Sequence, residues 1–262
     1  MNNSCKLIKN TTDPLSTWPL IQLLREAAKV KRLSILILVF AIAFAFFFIV
    51  PGLLNKPFTP YPQMKIADVL DLLTPLVLIP IYYLLLRFGA NQLPTLRTII
   101  IFLVFAALWV EGQGMHLSAN SIGHWLNDLM GDDINQVTHF YDEVLSHYIW
   151  HIGVVALSAQ LIYRGWRYPF TDQSSRLILE TIGGVVYGFV IFIIGIEGGT
   201  VPLIFTFSVL ATLISLFWAW GHFRERPVVT FFMIGYGLAT LLFIGWWLYW
   251  SGFPQFSHLG WI

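Results

Sequence analysis

The sequence predicts an all-α, polytopic membrane protein: a seven-transmembrane-helix bundle with its N-terminus in and its C-terminus out. Three observations carry this. The chain is 57% hydrophobic and only 11% charged over 262 residues, whereas a soluble domain carries about 25% charged residues. Its apolar residues come in long continuous runs rather than in alternation, which selects helices over a β-barrel. Its basic residues gather on one side of those runs.

A helix that crosses the hydrocarbon layer needs about 20 mostly apolar residues. Seven windows meet that length: Leu33 to Leu54, Ala67 to Arg87, Thr95 to Met115, Val144 to Tyr163, Leu177 to Ile196, Val201 to Gly221 and Val228 to Trp250. Before them, residues 1–32 carry Lys6, Lys9, Arg25, Lys29, Lys31 and Arg32 between apolar residues, with no small-residue cleavage site after the first span. They read as an uncleaved amphipathic cytoplasmic segment. Pro75 and Pro80 lie inside the second span and are expected to kink it. Gly183, Gly184, Gly188 and Gly195 lie in the fifth, and the 184/188 pair has the spacing that lets membrane helices approach closely. Residues 33–250 thus form one transmembrane domain, and 251–262 a short extracytoplasmic tail. Of the 15 Lys and Arg residues, all but Lys56 and Lys65 fall on the side of the N-terminal segment, which by the positive-inside rule is cytoplasmic. Trp246, Trp247 and Trp250 would form an outer aromatic belt, and Trp218 and Trp220 an inner one. In a bacterium this is an inner-membrane protein.

The net charge of +1 leaves no basic excess for a nucleic-acid partner. The single cysteine, Cys5, allows no internal disulfide, thiolate zinc site or paired-cysteine redox motif. The membrane lipid bilayer is the partner that the composition implies.

The same orientation partitions the polar side chains. Every histidine except His222 falls on the outer side, together with most of the 14 carboxylates. On the fourth span Glu143, His147 and His151 follow one another at intervals of four, which confines them to an arc of about 80° on a helix. Two histidines so spaced are a natural chelate, because such side chains stand one above the other. Near the end of the third span Gln113, His116, Asn120 and His124 share a second stripe of about 80°, and the two stripes can face each other as an antiparallel pair. Glu111 lies about 140° from His116 on that wheel, so it joins only if Gly112 or Gly114 breaks the helix.

Asp68 and Asp71 open the second span, where a helix dipole favours acids; the dipole explains Asp68 better than Asp71. Glu197 closes the fifth span, where the dipole disfavours a carboxylate, so it needs a partner: a cation, a metal or a proton. Asp128, Asp132, Asp133, His139 and His258 read as solvated surface residues, and Glu180 as the partner of Arg176 one turn away.

The run His147-Tyr148-Ile149-Trp150-His151 is similar to the His-x-x-Trp-His element of alkaline ceramidases. With the progestin and adiponectin receptors these form a superfamily of seven-span membrane metal hydrolases. The resemblance implies a zinc held by three histidines beside an acid and a serine, with His147 and His151 as two ligands and His116 as a third. The pair lies here on the fourth span and in that superfamily on the last.

The function these residues point to is a multi-pass metalloenzyme, a hydrolase acting on a lipid or other amphiphile from the extracytoplasmic side. His116, His147 and His151 would hold a divalent metal, zinc first and iron second, with Glu111, Glu197 and His124 as further candidate ligands. The metal would lower the pKa of a bound water toward about 7. Glu143, or else Asp142, would act as general base or orient the ligands, while Asn120, Gln113 and Ser146 would donate to a developing oxyanion. Two alternatives use the same residues. One is a proton- or cation-coupled transporter, channel or sensor; the other is a membrane di-iron oxidase with carboxylates at Glu111, Glu143 and Glu197.

Overall fold

The computed structural model describes residues 18–126, 131–171 and 175–261, with side chains from residue 28 onward except those of Pro62 and His124. Most of the basic N-terminal segment, Cys5 and Asp128 therefore lie outside the described residues. Seven helical segments are long and apolar enough to cross a membrane. The chain is an integral, multi-pass, all-helical membrane protein.

Helix α1 (Trp18–Ile49) runs without a break through the boundary expected at residue 32. The link that follows folds into a hairpin of β1 (Pro57–Phe58) and β2 (Tyr61–Lys65). It leads directly into α2 (Ile66–Phe88). There the Lys65 backbone N–H donates to Asp68 Oδ2 at 2.7 Å, so Asp68 caps the helix as the dipole argument expects. Helix α2 continues through Pro75 and Pro80 as one helix. Helix α3 (Leu96–Leu126) passes both Gly112 and Gly114 unbroken, and Trp125 near its end donates from Nε1 to the Gln63 carbonyl of the hairpin at 2.6 Å.

The fourth crossing is compound. A short polar helix, α4 (Asp132–His139), passes through a π-helical turn at Phe140–Leu145 into α5 (Ser146–Arg167). Helices α6 (Leu177–Glu197), α7 (Val201–Ala219) and α8 (Pro227–Trp250) complete the bundle. Prolines open α7 and α8, where a missing N–H costs nothing. Helix α6 packs between α1 and α8, α3 packs along α5, and α5 joins the two groups through α2, α7 and α8.

Lipid tails are as apolar as leucine, so close van der Waals packing and hydrogen bonds must hold such helices together. Gly188 shows the first. A Cβ placed there would run into the carbonyl of Gly235, so α6 and α8 touch backbone to backbone, as the small-residue spacing anticipated. The second is a fully buried cluster of hydroxyls from four helices. Tyr187 lies 3.3 Å from Tyr82, 3.1 Å from Ser158 and 3.0 Å from Tyr236. Tyr187→Phe deletes the hub and is expected to lower stability by about 1–3 kcal/mol, readable as an earlier thermal transition in detergent.

At the far end of α6, Glu180 is fully buried. It does not pair with Arg176, as helical spacing suggested, but accepts a hydrogen bond from Ser34 of α1 at 2.9 Å. The Ser34 hydroxyl oxygen in turn accepts the Arg176 backbone N–H at 3.1 Å. Helical spacing identifies neighbours on one helix, and here the neighbouring helix supplies the closer partner.

Candidate functional site

At the end of the bundle that carries the hairpin, the chain forms a half-open cavity of about 980 Å³. Most of its wall is apolar and aromatic. One part is polar: Asp71 of α2, His116 of α3, Glu143 of the π turn, His147 of α5 and Glu197 of α6. Residues from the beginnings of α2 and α5 and the ends of α1, α3, α6 and α8 thus meet at one level, as alternate crossings require.

The π turn sets the local geometry. Its wider winding presents Asp142 and Glu143 together toward α3, and such turns recur at functional sites. Asp142 Oδ1 lies 2.8 Å from His116 Nδ1, a close pair rather than an aligned hydrogen bond, and among the described residues no hydrogen bond reaches that oxygen. The Asp142 carbonyl accepts the hydroxyl of Ser146. One turn on, His147 Nδ1 donates to the Glu143 carbonyl at 3.0 Å, with Glu143 Oε2 at 3.7 Å. The backbone of Gly198 is a second hydrogen-bond partner of the same ring. The rings of His116 and His147 are 4.7 Å apart, so the two polar stripes read from the sequence do face each other.

His151 stands apart. Its ring lies 6.2 Å from that of His147, is fully buried and is not part of the cavity wall. Trp150 covers it at 3.7 Å between ring centres. Its Nδ1 is 2.6 Å from Thr200 Oγ1, while Nε2 is enclosed and, among the described residues, meets no hydrogen-bond partner. The link between α6 and α7 crosses directly over this pair of histidines, since a Cβ on Gly198 would stand 2.9 Å from His151 Cε1 and 3.5 Å from His147 Cγ.

Glu197 finds its partner in the C-terminal segment. Its Oε2 accepts the backbone N–H groups of Phe256 at 2.9 Å and Ser257 at 3.3 Å, and its carbonyl accepts Gln255 Nε2 at 2.6 Å. These contacts fold the tail back so that Phe256 and Trp261 become cavity wall. The sequence showed that Glu197 needed a partner; that backbone amides 59 and 60 positions later supply it left no signal in composition or spacing.

The remaining candidates are placed as follows. Glu111 is exposed and outside the cavity wall, because α3 continues straight through the glycines that would have had to turn it. Gln113 is buried and accepts the Trp109 indole N–H at 3.3 Å. Asn120 is half-buried and does not line the cavity. Ser146 is buried, with its proton committed to Asp142. The side chain of His124 lies outside the described residues. Asp132, Asp133, His139 and His258 are exposed, as read from the sequence. Trp247 and Trp250 are exposed, as an interfacial belt requires, while Trp246 and Trp250 both line the cavity.

His116, His147 and the adjacent carboxylates are donors of the kind that hold zinc. Among the described residues, however, no three His, Cys, Asp or Glu side chains stand together as a ready metal cage. The chemistry that the side chains support as placed is acid–base: an imidazole beside a carboxylate and hydrogen-bonded to the Asp142 carbonyl at 3.4 Å, a second imidazole held by backbone groups, and three carboxylates beside an apolar chamber.

Fold and cavity define a multi-pass helical membrane protein with a polar-ended chamber at one end of its bundle. The chain matches no family model, no curated protein and no solved structure.

Proposed function

We propose that this protein is a membrane hydrolase that takes a lipid or other amphiphile into the cavity and cleaves an acyl bond at its polar end. One observation carries the reading: a single chamber joins an aromatic and aliphatic wall to a cluster of two imidazoles and three carboxylates. An amphiphile needs both, and a general acid–base needs the second. With the N-terminus in the cytoplasm, as the basic residues suggest, the chamber opens toward the extracytoplasmic leaflet.

In this reading Asp142 holds His116 at Nδ1, leaving Nε2 to take a proton from an attacking water. The proton that His116 takes from the water is then passed to the leaving group, with His147, its ring centre 4.7 Å away, beside the path. With the tail of an amphiphile seated against it, the apolar wall would exclude bulk water and strengthen each of these interactions. A zinc-class metal is an alternative to this acid–base scheme and not a part of it: His116 and His147 would be two of its ligands, a third donor would have to move to join them, and when bound it would supply a water of lowered pKa.

The test is hydrolysis by purified protein of fluorescent amphiphiles carrying an ester or an amide bond, with metal analysis of the same sample. Cleavage that is lost in His116→Ala supports the hydrolase. No cleavage of either bond class by folded wild type would overturn it. Negligible metal in active wild type would remove the metal and leave the acid–base reading.

A second reading, proton- or cation-coupled transport, is favoured by a separate observation: polar groups continue below the cavity, through the hydroxyl cluster around Tyr187 to buried Glu180. It predicts a proton flux in proteoliposomes that Glu180→Gln lowers by at least about tenfold, since the pathway needs an ionisable group there. Absence of flux from wild type excludes it.

A further inference from the structure

We infer that the amphiphile this cavity takes carries a cationic, ammonium-type head group. This rests on the reading that the chamber receives an amphiphile, and it adds which one.

The first ground is charge. Asp71, Glu143 and Glu197 all line the cavity, and among the described residues no lysine or arginine does. Glu197 is hydrogen-bonded, but its two N–H donors on Oε2 are backbone amides, which orient the carboxylate without cancelling its charge. His116 also lines the cavity, and its neighbour Asp142 favours the imidazolium, so one positive group stands against three carboxylates and an anionic head would meet a wall of net negative charge. A cationic head would be attracted by all three.

The second ground is independent of those acids. Trp246, Phe256 and Trp261 stand together in the cavity wall, with ring centres 5.0 Å apart for Trp246–Phe256, 5.5 Å for Trp246–Trp261 and 5.9 Å for Phe256–Trp261. These rings pack against one another, and an ammonium ion is drawn to the face of such a ring within about 6 Å of its centre, so the head group would sit over the cavity side of the cluster and not between its members. The backbone N–H of Phe256, a member of this group, donates to Glu197 Oε2 at 2.9 Å. Aromatic rings and a carboxylate are therefore adjacent in the wall, the combination that recognises a cation shed of part of its water. The apolar remainder, including Phe48, Phe189 and Leu242, suits the tail.

The experiment compares three single-chain probes with the same fluorescent 12-carbon tail and an amine, an alcohol or a carboxylate as head, bound to full-length protein in uncharged maltoside micelles. The amine is expected to bind roughly tenfold tighter than the alcohol, and the carboxylate weaker than either. Glu197→Gln keeps an acceptor for the two backbone amides and removes the charge, and Asp71→Asn removes a second charge on another helix. Each is expected to cut the amine's advantage over the alcohol by about threefold or more. Equal binding of amine and carboxylate by wild type, or tighter binding of the carboxylate, overturns the inference whatever the variants do. The hydrolase fails separately: selective amine binding without cleavage of any acyl amphiphile leaves the inference standing, whereas equal cleavage of cationic and anionic substrates removes the inference and keeps the enzyme.

Discussion

Gly112→Ala is expected to destabilise the protein by about 1–3 kcal/mol and to open the site, whereas Gly114→Ala, two residues along the same helix, is expected to do neither. The difference lies in what each glycine faces. A Cβ at Gly112 would meet the Trp150 backbone nitrogen and would come within 2.7 Å of the Ser146 carbonyl oxygen and of Trp150 Cβ. Those atoms belong to α5 and cannot turn aside as a side chain tip would, so α3 and α5 must separate. His116 is one turn from Gly112 on α3, and His147 lies beside Ser146 on α5. Any separation therefore also parts the two rings that now stand 4.7 Å from each other. At Gly114 nothing lies within 4 Å of the added carbon, so alanine there gains the helix preference over glycine, up to about 1 kcal/mol. Thermal unfolding in detergent reads both effects. Equal transitions for the two variants would mean that α3 and α5 are not in this contact.

The second large effect is on chemistry. His116→Ala removes the imidazole that pairs with Asp142 and is expected to lower amphiphile hydrolysis by roughly 10²–10⁴-fold, the usual worth of a positioned general base. Asp142→Asn keeps the size of the side chain and loses the charge that favours His116 as an imidazolium. A drop of about tenfold or more is expected, with wild-type stability and unchanged KM, because Asp142 does not line the cavity and acts through His116. His151→Ala is expected to behave differently. It lies behind the wall on Thr200, so its removal should shift the thermal transition before it changes the rate. An activity loss at His151 as deep as at His116, with unchanged stability, would return His151 to the site and favour the three-histidine metal reading.

Several parts of this arrangement were legible because they depend on local periodicity alone. The seven apolar runs follow from the length needed to cross the bilayer, and the helices begin and end within a few residues of them except where polar residues extend α1 and α3. The facing of His116 and His147 follows from their places on two consecutive helices joined by a short connection. The capping role of Asp68 and the close approach at Gly188 follow from position in a helix and from residue size.

Other parts depend on what one helix meets on another. Regular α-helical spacing put Glu143, His147 and His151 on one stripe, and all three lie on the same stretch of chain. The wall of the chamber nevertheless passes in front of His151, because the link over Gly198 and the ring of Trp150 cover it. The same spacing gave Glu180 to Arg176, yet Ser34 of α1 is the group that reaches it. Periodicity orders residues around their own axis and carries no information on which neighbouring helix supplies the partner.

By itself, the amino-acid sequence determined that this chain is a seven-helix membrane protein with its histidines and most of its acids gathered toward one end, because hydrophobic length and charge partition are properties of the chain. Only the tertiary structure decided which of those groups share a chamber. It joined Glu197 to the backbone of Phe256 and Ser257, brought Trp261 into the wall beside them, and set His151 behind it. Contacts between residues far apart in sequence arise from packing and backbone hydrogen bonds, and a backbone amide looks the same at every position of a sequence.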